Sequence, residues 1–218
     1  MTIEPRLQGL YAITPDWNDT RRLLIASEAI LAAGCRWLQY RNKLATDCHR
    51  QEQAVALRGL THGFNARLII NDDIELALFC AADGVHLGED DGELVATRTR
   101  LNAARPGMIL GASCYQSLPL ALAAANAGAD YLAFGSFFAS PTKPQAKRAD
   151  PGLLAAGRQA TGLPICAIGG INHANAAGLI AAGADLLAVI SALYDAPDPA
   201  LATLEFSQLF SETDKEPA

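Results

Sequence analysis

Four times along the chain an alanine-rich, helix-forming stretch gives way to small residues and then to a short apolar run. The instances are Ala33-Gly34-Cys35-Arg36-Trp37-Leu38, Ala81-Ala82-Asp83-Gly84-Val85, Ala127-Gly128-Ala129-Asp130-Tyr131-Leu132 and Ala182-Gly183-Ala184-Asp185-Leu186-Leu187. Glycine just past a helix end supplies the left-handed residue that stops the helix. An apolar run of this length, with no alternation of polar residues, suits a strand buried on both faces, as in a parallel sheet. The copies differ too much for a solenoid, so they read as successive βα units.

Eight strands follow from this pattern: Leu10–Ile13, Trp37–Tyr40, Leu68–Ile70, Gly84–Leu87, Ile109–Ala112, Tyr131–Phe134, Ile165–Ile168 and Leu187–Ile190. Helical patterns lie between and after them, as at Arg21–Ala32, Gln51–Gly63, Leu118–Ala127 and Asn175–Ala182. Eight alternations in 218 residues predict a TIM (β/α)8 barrel, α/β in class, as a single domain over 1–218. An open doubly wound sheet is disfavoured because no Gly-x-Gly-x-x-Gly follows the first strand. The polar tail Ser211–Ala218 is expected to fray.

Composition narrows the function classes. With 50% hydrophobic and 18% charged residues, the chain carries enough apolar material for a large core, which excludes disorder. A net charge of −6 argues against a nucleic-acid partner. No stretch reads as the roughly 18-residue apolar run of a bilayer-spanning helix, and no signal-peptide pattern opens the chain. Five cysteines, odd in number and without Cys-x-x-Cys spacing, suit a reduced, cytoplasmic protein better than a disulfide or zinc framework.

In such barrels the chemistry sits at the C-terminal strand ends. Those ends are polar here. The second strand runs into Gln39-Tyr40-Arg41-Asn42-Lys43, the third into Asn71-Asp72-Asp73, and the fourth into His86-Leu87-Gly88-Glu89-Asp90-Asp91. The fifth ends in Gly111-Ala112-Ser113, and the sixth in Gly135, followed by Ser140-Pro141-Thr142-Lys143. The seventh ends in Gly169-Gly170-Ile171 and the eighth in Ile190-Ser191.

Arg41 and Lys43, with Gln39 on the same alternating side, can clamp a phosphate or diphosphate, Arg by its fork and Lys as a point charge. A solvated loop is the plainer alternative. Asp72 and Asp91 can hold one Mg2+ between neighbouring strand ends, or serve as an acid/base pair, or cap the following helices. Asp73 and Asp90 are assigned to capping. The glycines after the seventh strand, with Ser191, fit a backbone phosphate cradle, and Ser140, Thr142 and Lys143 fit a second anion loop broken by Pro141 and Pro144. His86 is read as making a structural hydrogen bond rather than acting as a base. Cys114 and Cys166 are read as core, His49, His62 and His173 as surface, and the tryptophans and phenylalanines as packing. Two anion sites and a carboxylate pair, without a nucleophile–base pair, point to a transferase that manages phosphate charge.

From Tyr11-Ala12-Ile13-Thr14 to Ile190-Ser191, these segments in their order and spacing resemble the thiamine-phosphate synthase family, also called thiamine-phosphate pyrophosphorylase. That resemblance implies a TIM barrel joining 4-amino-2-methyl-5-(diphosphooxymethyl)pyrimidine to a thiazole phosphate, with Mg2+ as cofactor and small molecules as partners. By position, Gln39, Tyr40, Arg41, Asn42, Lys43, Asn71, Ser113 and Lys143 would bind the pyrimidine diphosphate, with Arg41, Lys43, Lys143 and Ser113 catalytic. Asp72 and Asp91 would hold the metal. Ser140, Pro141, Thr142, Gly170, Ile190 and Ser191 would surround the thiazole phosphate. Two positions depart from the family pattern: Ser140 replaces a threonine, and Tyr115 stands where many relatives carry histidine. The competing readings are a thiazole tautomerase on the same scaffold and a non-catalytic barrel that binds a thiamine precursor. Retention of Arg41, Lys43, Asp72, Asp91 and Lys143 favours the synthase. A homo-oligomer is compatible with the sequence, which leaves oligomeric state open.

Overall fold

The computed structural model describes residues 7–88, 92–139 and 147–213. Its strands are β1 (Gly9–Ile13), β2 (Trp37–Tyr40), β3 (Arg67–Asn71), β4 (Gly84–Leu87), β5 (Ile109–Tyr115), β6 (Tyr131–Gly135), β7 (Ile165–Ile168) and β8 (Leu186–Val189). They alternate with α1 (Thr20–Ala32), α2 (Asp47–Gly63), α3 (Ile74–Phe79), α4 (Leu94–Ala104), α5 (Leu118–Asn126), α6 (Gly152–Thr161) and α7 (His173–Ala181), and α8 (Ser191–Tyr194) and α9 (Pro199–Thr213) follow β8. All neighbouring strands pair in parallel and the sheet closes, β8 against β1, into an eight-stranded barrel.

Period-two alternation divides the apolar residues into two bodies. Leu10, Ala12, Leu38, Tyr40, Leu68, Ile70 and their counterparts face the helices and form the larger core. Tyr11, Ile13, Trp37, Ile69, Tyr131, Ala133, Cys166, Leu186 and Ala188 fill the barrel interior. Three strands, β2, β4 and β7, have the bounds expected from sequence. The eighth is displaced by one residue: pairing with β1 runs from Gly9↔Leu186 to Ala12↔Val189, so Ile190 lies beyond the strand and caps α8. Helix α2 begins earlier than its apolar pattern because Thr46 accepts a hydrogen bond from the His49 N–H. Helix α9 runs through Thr213, into the stretch expected to fray, with Phe206 buried and Leu209 and Phe210 packed against the core.

The aspartate of the recurring unit has a structural task at the N-terminal end of the barrel. Asp83, Asp130 and Asp185 stand just before β4, β6 and β8, and each accepts a hydrogen bond from the backbone of the preceding strand: Leu68 N at 2.8 Å, Leu110 N at 2.7 Å and Ile165 N at 2.7 Å. Each is also paired with an arginine two helices back, respectively Arg58, Arg98 and Arg158. The second strand carries Arg36 where the others have aspartate, and it bonds the carbonyls of Leu31 and Cys35 instead. Asp83 is the most enclosed of the three carboxylates and also pairs with Arg67. Asp83→Ala leaves the Leu68 N–H and two guanidinium groups without their acceptor and should cost about 2–4 kcal/mol, read by urea unfolding. Asp83→Asn should cost less, because an amide oxygen still accepts from Leu68.

Candidate active site

The β2–α2 loop is held by the loop after β1. Asp16 grips it twice, accepting from Arg41 Nη1 at 2.7 Å through one oxygen and from the Lys43 backbone N–H at 2.7 Å through the other. The Thr14 hydroxyl donates to the Arg41 carbonyl and accepts from the Arg41 N–H. Arg41 is thereby oriented by the protein itself, while the Lys43 side chain stays 56% exposed. Alternation sends the five residues in different directions. Gln39 is buried in the barrel interior and donates to Tyr11 Oη. Tyr40 points outward and donates to Gln53 Oε1 on α2. The Asn42 amide is wholly engaged in shaping the loop, donating to the Trp17 carbonyl and Gln53 while accepting from the Leu44 and Ala45 N–H groups. Tyr40, Asn42, Lys43, Ala45, Arg50, Asn71 and Asp72 border one cleft.

Asp72 follows β3 with φ 62°, in the left-handed region that aspartate tolerates better than most side chains. Its N–H donates to the His86 carbonyl of the neighbouring strand, and its carboxylate meets Lys43 Nζ at 2.9 Å. Capping of α3 belongs to Asp73, which accepts from the Leu76 N–H and pairs with Arg50. The capping alternative therefore applies to Asp73 and not to Asp72. As a hard-oxygen donor beside a cationic loop, Asp72 fits Mg2+, which is commonly bound by one or two carboxylates together with substrate phosphate oxygens. Among the described residues no group of three His, Cys, Asp or Glu side chains converges as a ready-made metal cage. Asp90 and Asp91 lie outside the described residues.

A line of polar groups crosses the otherwise apolar interior: Gln39, Tyr11, Tyr131, His86 and Ser113, each 2.9 Å from the next. Burial pushes the Tyr11 and Tyr131 phenols well above their ordinary pKa, so both remain protonated. His86 makes the hydrogen bonds expected of it, and Ser113 sits at the upper end of the line, half-buried. Cys114 and Cys166 are core, as expected, with their thiol pKa values raised by burial. Tyr115 adopts φ 52° next to a register shift in the β5–β6 pairing.

On the opposite rim, Gly169 and Gly170 have φ 105° and 65°, and a Cβ on Gly170 would stand 2.3 Å from the Ala139 carbonyl oxygen. The glycines thus answer first to the loop after β6, which packs on them. Ile190 and Ser191 open the short helix α8 nearby in sequence. Ser140, Pro141, Thr142 and Lys143 lie outside the described residues.

Asp16, Arg50 and the pair-forming Tyr131 also line these features, with no role expected from sequence. Asp16 was findable, since Thr14-Pro15-Asp16 directly follows the first strand. Arg50 and Tyr131 were not, because a helix and a strand interior offered no cue.

Residues 10–193 match the sequence pattern of the family described as thiamine monophosphate synthase. The chain belongs to this family. Family members from Methylobacillus flagellatus and Thiobacillus denitrificans, each called thiamine-phosphate synthase, are 55% identical over 207 residues and 52% over 208, covering 95% of this chain and 97% of theirs. The solved structure of thiamine phosphate pyrophosphorylase from Pyrococcus furiosus superposes with a TM-score of 0.82 at 34% identity, over 94% of this chain and 96% of that one. A 3-hexulose-6-phosphate synthase shares the barrel at 18% identity and a TM-score of 0.69, a likeness of fold alone. The thiamine monophosphate synthases are transferases of thiamine biosynthesis, and neither the tautomerase nor the silent-binder reading is favoured. Among the described residues no helix is long and apolar enough to cross a membrane.

Proposed function

We propose that this barrel condenses 4-amino-2-methyl-5-(diphosphooxymethyl)pyrimidine with a thiazole phosphate, releasing diphosphate and forming thiamine phosphate. The observation that carries the reading is the concentration of Arg41, Lys43 and Asp72 on adjacent strand ends, with Arg41 already fixed by Asp16. Such an arrangement suits a departing polyanion. Arg41, Lys43 and Lys143 neutralise the diphosphate as the C–O bond breaks, and the substrate's own amino group stabilises the exocyclic methylene cation. Ser113 and Asn71 hold the pyrimidine, with Gln39 behind Tyr11, while Tyr40 and Asn42 contribute by holding the loop. Ser140, Pro141, Thr142, Gly170, Ile190 and Ser191 surround the thiazole phosphate, placing the thiazole nitrogen for attack. Asp72 and Asp91 would hold Mg2+, which when bound supplies further neutralisation of diphosphate charge. Positioning and electrostatic stabilisation therefore do what a general base does in other transferases. We place the reaction in the cytoplasm, in keeping with five cysteines that are all free.

Purified protein mixed with both substrates and Mg2+ should produce thiamine phosphate and diphosphate in equal amounts, and absence of both would refute the reading. Ser191→Ala should raise KM for the thiazole phosphate by the worth of a hydrogen bond to a charged group, about 1.5–3 kcal/mol, leaving KM for the pyrimidine diphosphate unchanged. A rise in the latter alone would move Ser191 to the other substrate.

A further inference from the structure

Gly111, His86 and Tyr131 stand side by side on β5, β4 and β6, at one level of the barrel. Gly111 lies between the other two, and a Cβ there would come within 2.2 Å of the Tyr131 ring, 2.3 Å of its oxygen and 2.5 Å of His86 Nδ1. Only a residue without a side chain lets the phenol and the imidazole meet above it. That notch gives the interior polar line a direction. Gln39 Nε2 donates to Tyr11 Oη, and Tyr131 Oη at 2.9 Å is the acceptor in line for the phenolic proton of Tyr11. Tyr131, having accepted, gives its own proton to His86 Nδ1. His86 is then left with its proton on Nε2, facing Ser113 Oγ at 2.9 Å.

We propose that Gln39, Tyr11 and Tyr131 lock His86 as the Nε2–H tautomer, and that His86, acting as a positioning residue, turns the Ser113 hydroxyl into a donor aimed out of the network. Ser113 accepts from His86, so its own proton is available to an acceptor in the site. A ring nitrogen of the aminopyrimidine is such an acceptor, and this role rests on the function proposed above. Burial keeps both phenols protonated, so each has a proton to pass along the line. Gly111 is thereby a requirement of the relay as well as of the strand.

The experiment reads the tautomer first. Protein labelled with 15N in its imidazoles contains four histidines, and the His86 signals are those lost in His86→Gln. Two-bond 1H–15N correlations should show one tautomer, with Nε2 protonated and Nδ1 bare. In Tyr131→Phe that preference should give way to a mixture. A wild-type spectrum with Nδ1 protonated means that the relay runs the other way, and overturns the proposal. Kinetics supply the second readout. Tyr131→Phe should raise KM for the pyrimidine diphosphate about tenfold, the order of one hydrogen bond, with a smaller change in kcat. In a Ser113→Ala background the same substitution should raise it no further, because the two act through one group. Additive effects would make Tyr131 merely structural and sink the proposal. His86→Gln, whose amide N–H can reach Ser113, should recover most of what His86→Ala loses. The tautomer is read without substrate, so a wild-type protein that makes no thiamine phosphate would refute the function while leaving the relay separately tested.

Discussion

Asp72→Asn should remain folded and lose turnover by about 100- to 1000-fold, the usual consequence of removing one electrostatic contact from a preorganised site. Asparagine is the informative replacement because Asp72 sits at φ 62°, a backbone state that asparagine also tolerates. Alanine would add backbone strain of about 1–2 kcal/mol to the loss of charge and blur the result. The variant differs from the parent mainly in the negative charge that now meets Lys43 and would meet Mg2+. Raising Mg2+ should restore little, since the ligand itself has been weakened. Turnover is measured as thiamine phosphate formed under saturating substrates, with circular dichroism and urea unfolding as fold controls. Wild-type turnover in Asp72→Asn would remove Asp72 from the mechanism, and chelator-insensitive activity of the parent would remove the metal.

Lys43→Ala should lower kcat and kcat/KM together, by about 100-fold, because interactions that accelerate a step are those stronger in the transition state than in the ground state. Charge accumulates on the departing diphosphate as the C–O bond opens, and Lys43 is the exposed cation positioned to meet it. Its ammonium is paired with Asp72 at 2.9 Å, so it is already fixed at one end. Lys43→Arg should recover little, since a planar fork distributes its donors differently from a point ammonium. Arg41 cannot substitute, because one Nη is committed to Asp16. An alanine variant with unchanged kcat and a raised KM would make Lys43 a binding residue only, leaving the barrier to be lowered by the other cations.

The barrel was legible in sequence because each strand is buried on both faces and each helix end carries a small-residue stop. Where a strand boundary shifted, as at Ile190, the neighbour's register decided it, and register is a property of two segments at once. Arg41, Lys43 and Asp72 were visible as polar residues at strand ends, where hydrocarbon gives way. Their coupling was not: that Asp16 would grip both Arg41 and the Lys43 backbone depends on two loops 25 or more residues apart. The interior depth of Gln39, whose side chain donates to Tyr11, has no sequence signal either, because alternation gives the face of a residue and not its depth. The interior relay left no sequence cue, since a tyrosine inside an apolar strand looks like packing until its hydroxyl finds a partner. The recurring aspartate is legible as part of a repeat, but its clamp joins two strands that only the closed ring brings together.

Those aspartate clamps also bear on how the chain finds its ring as it leaves the ribosome. Arg58 and Asp83 are 25 residues apart, Leu68 and Asp83 only 15, and Leu110 and Asp130 only 20, whereas β1 must wait for β8 before its open edge is covered. Contacts near in sequence form early because closing a short loop costs less entropy. Each clamp can therefore set the register of a strand pair during synthesis, with the nascent sheet growing as a succession of tethered pairs. Closure onto β1 is then one last docking of an edge whose partners are already aligned, and the window in which bare strand edges invite aggregation is confined to the time before β8 emerges.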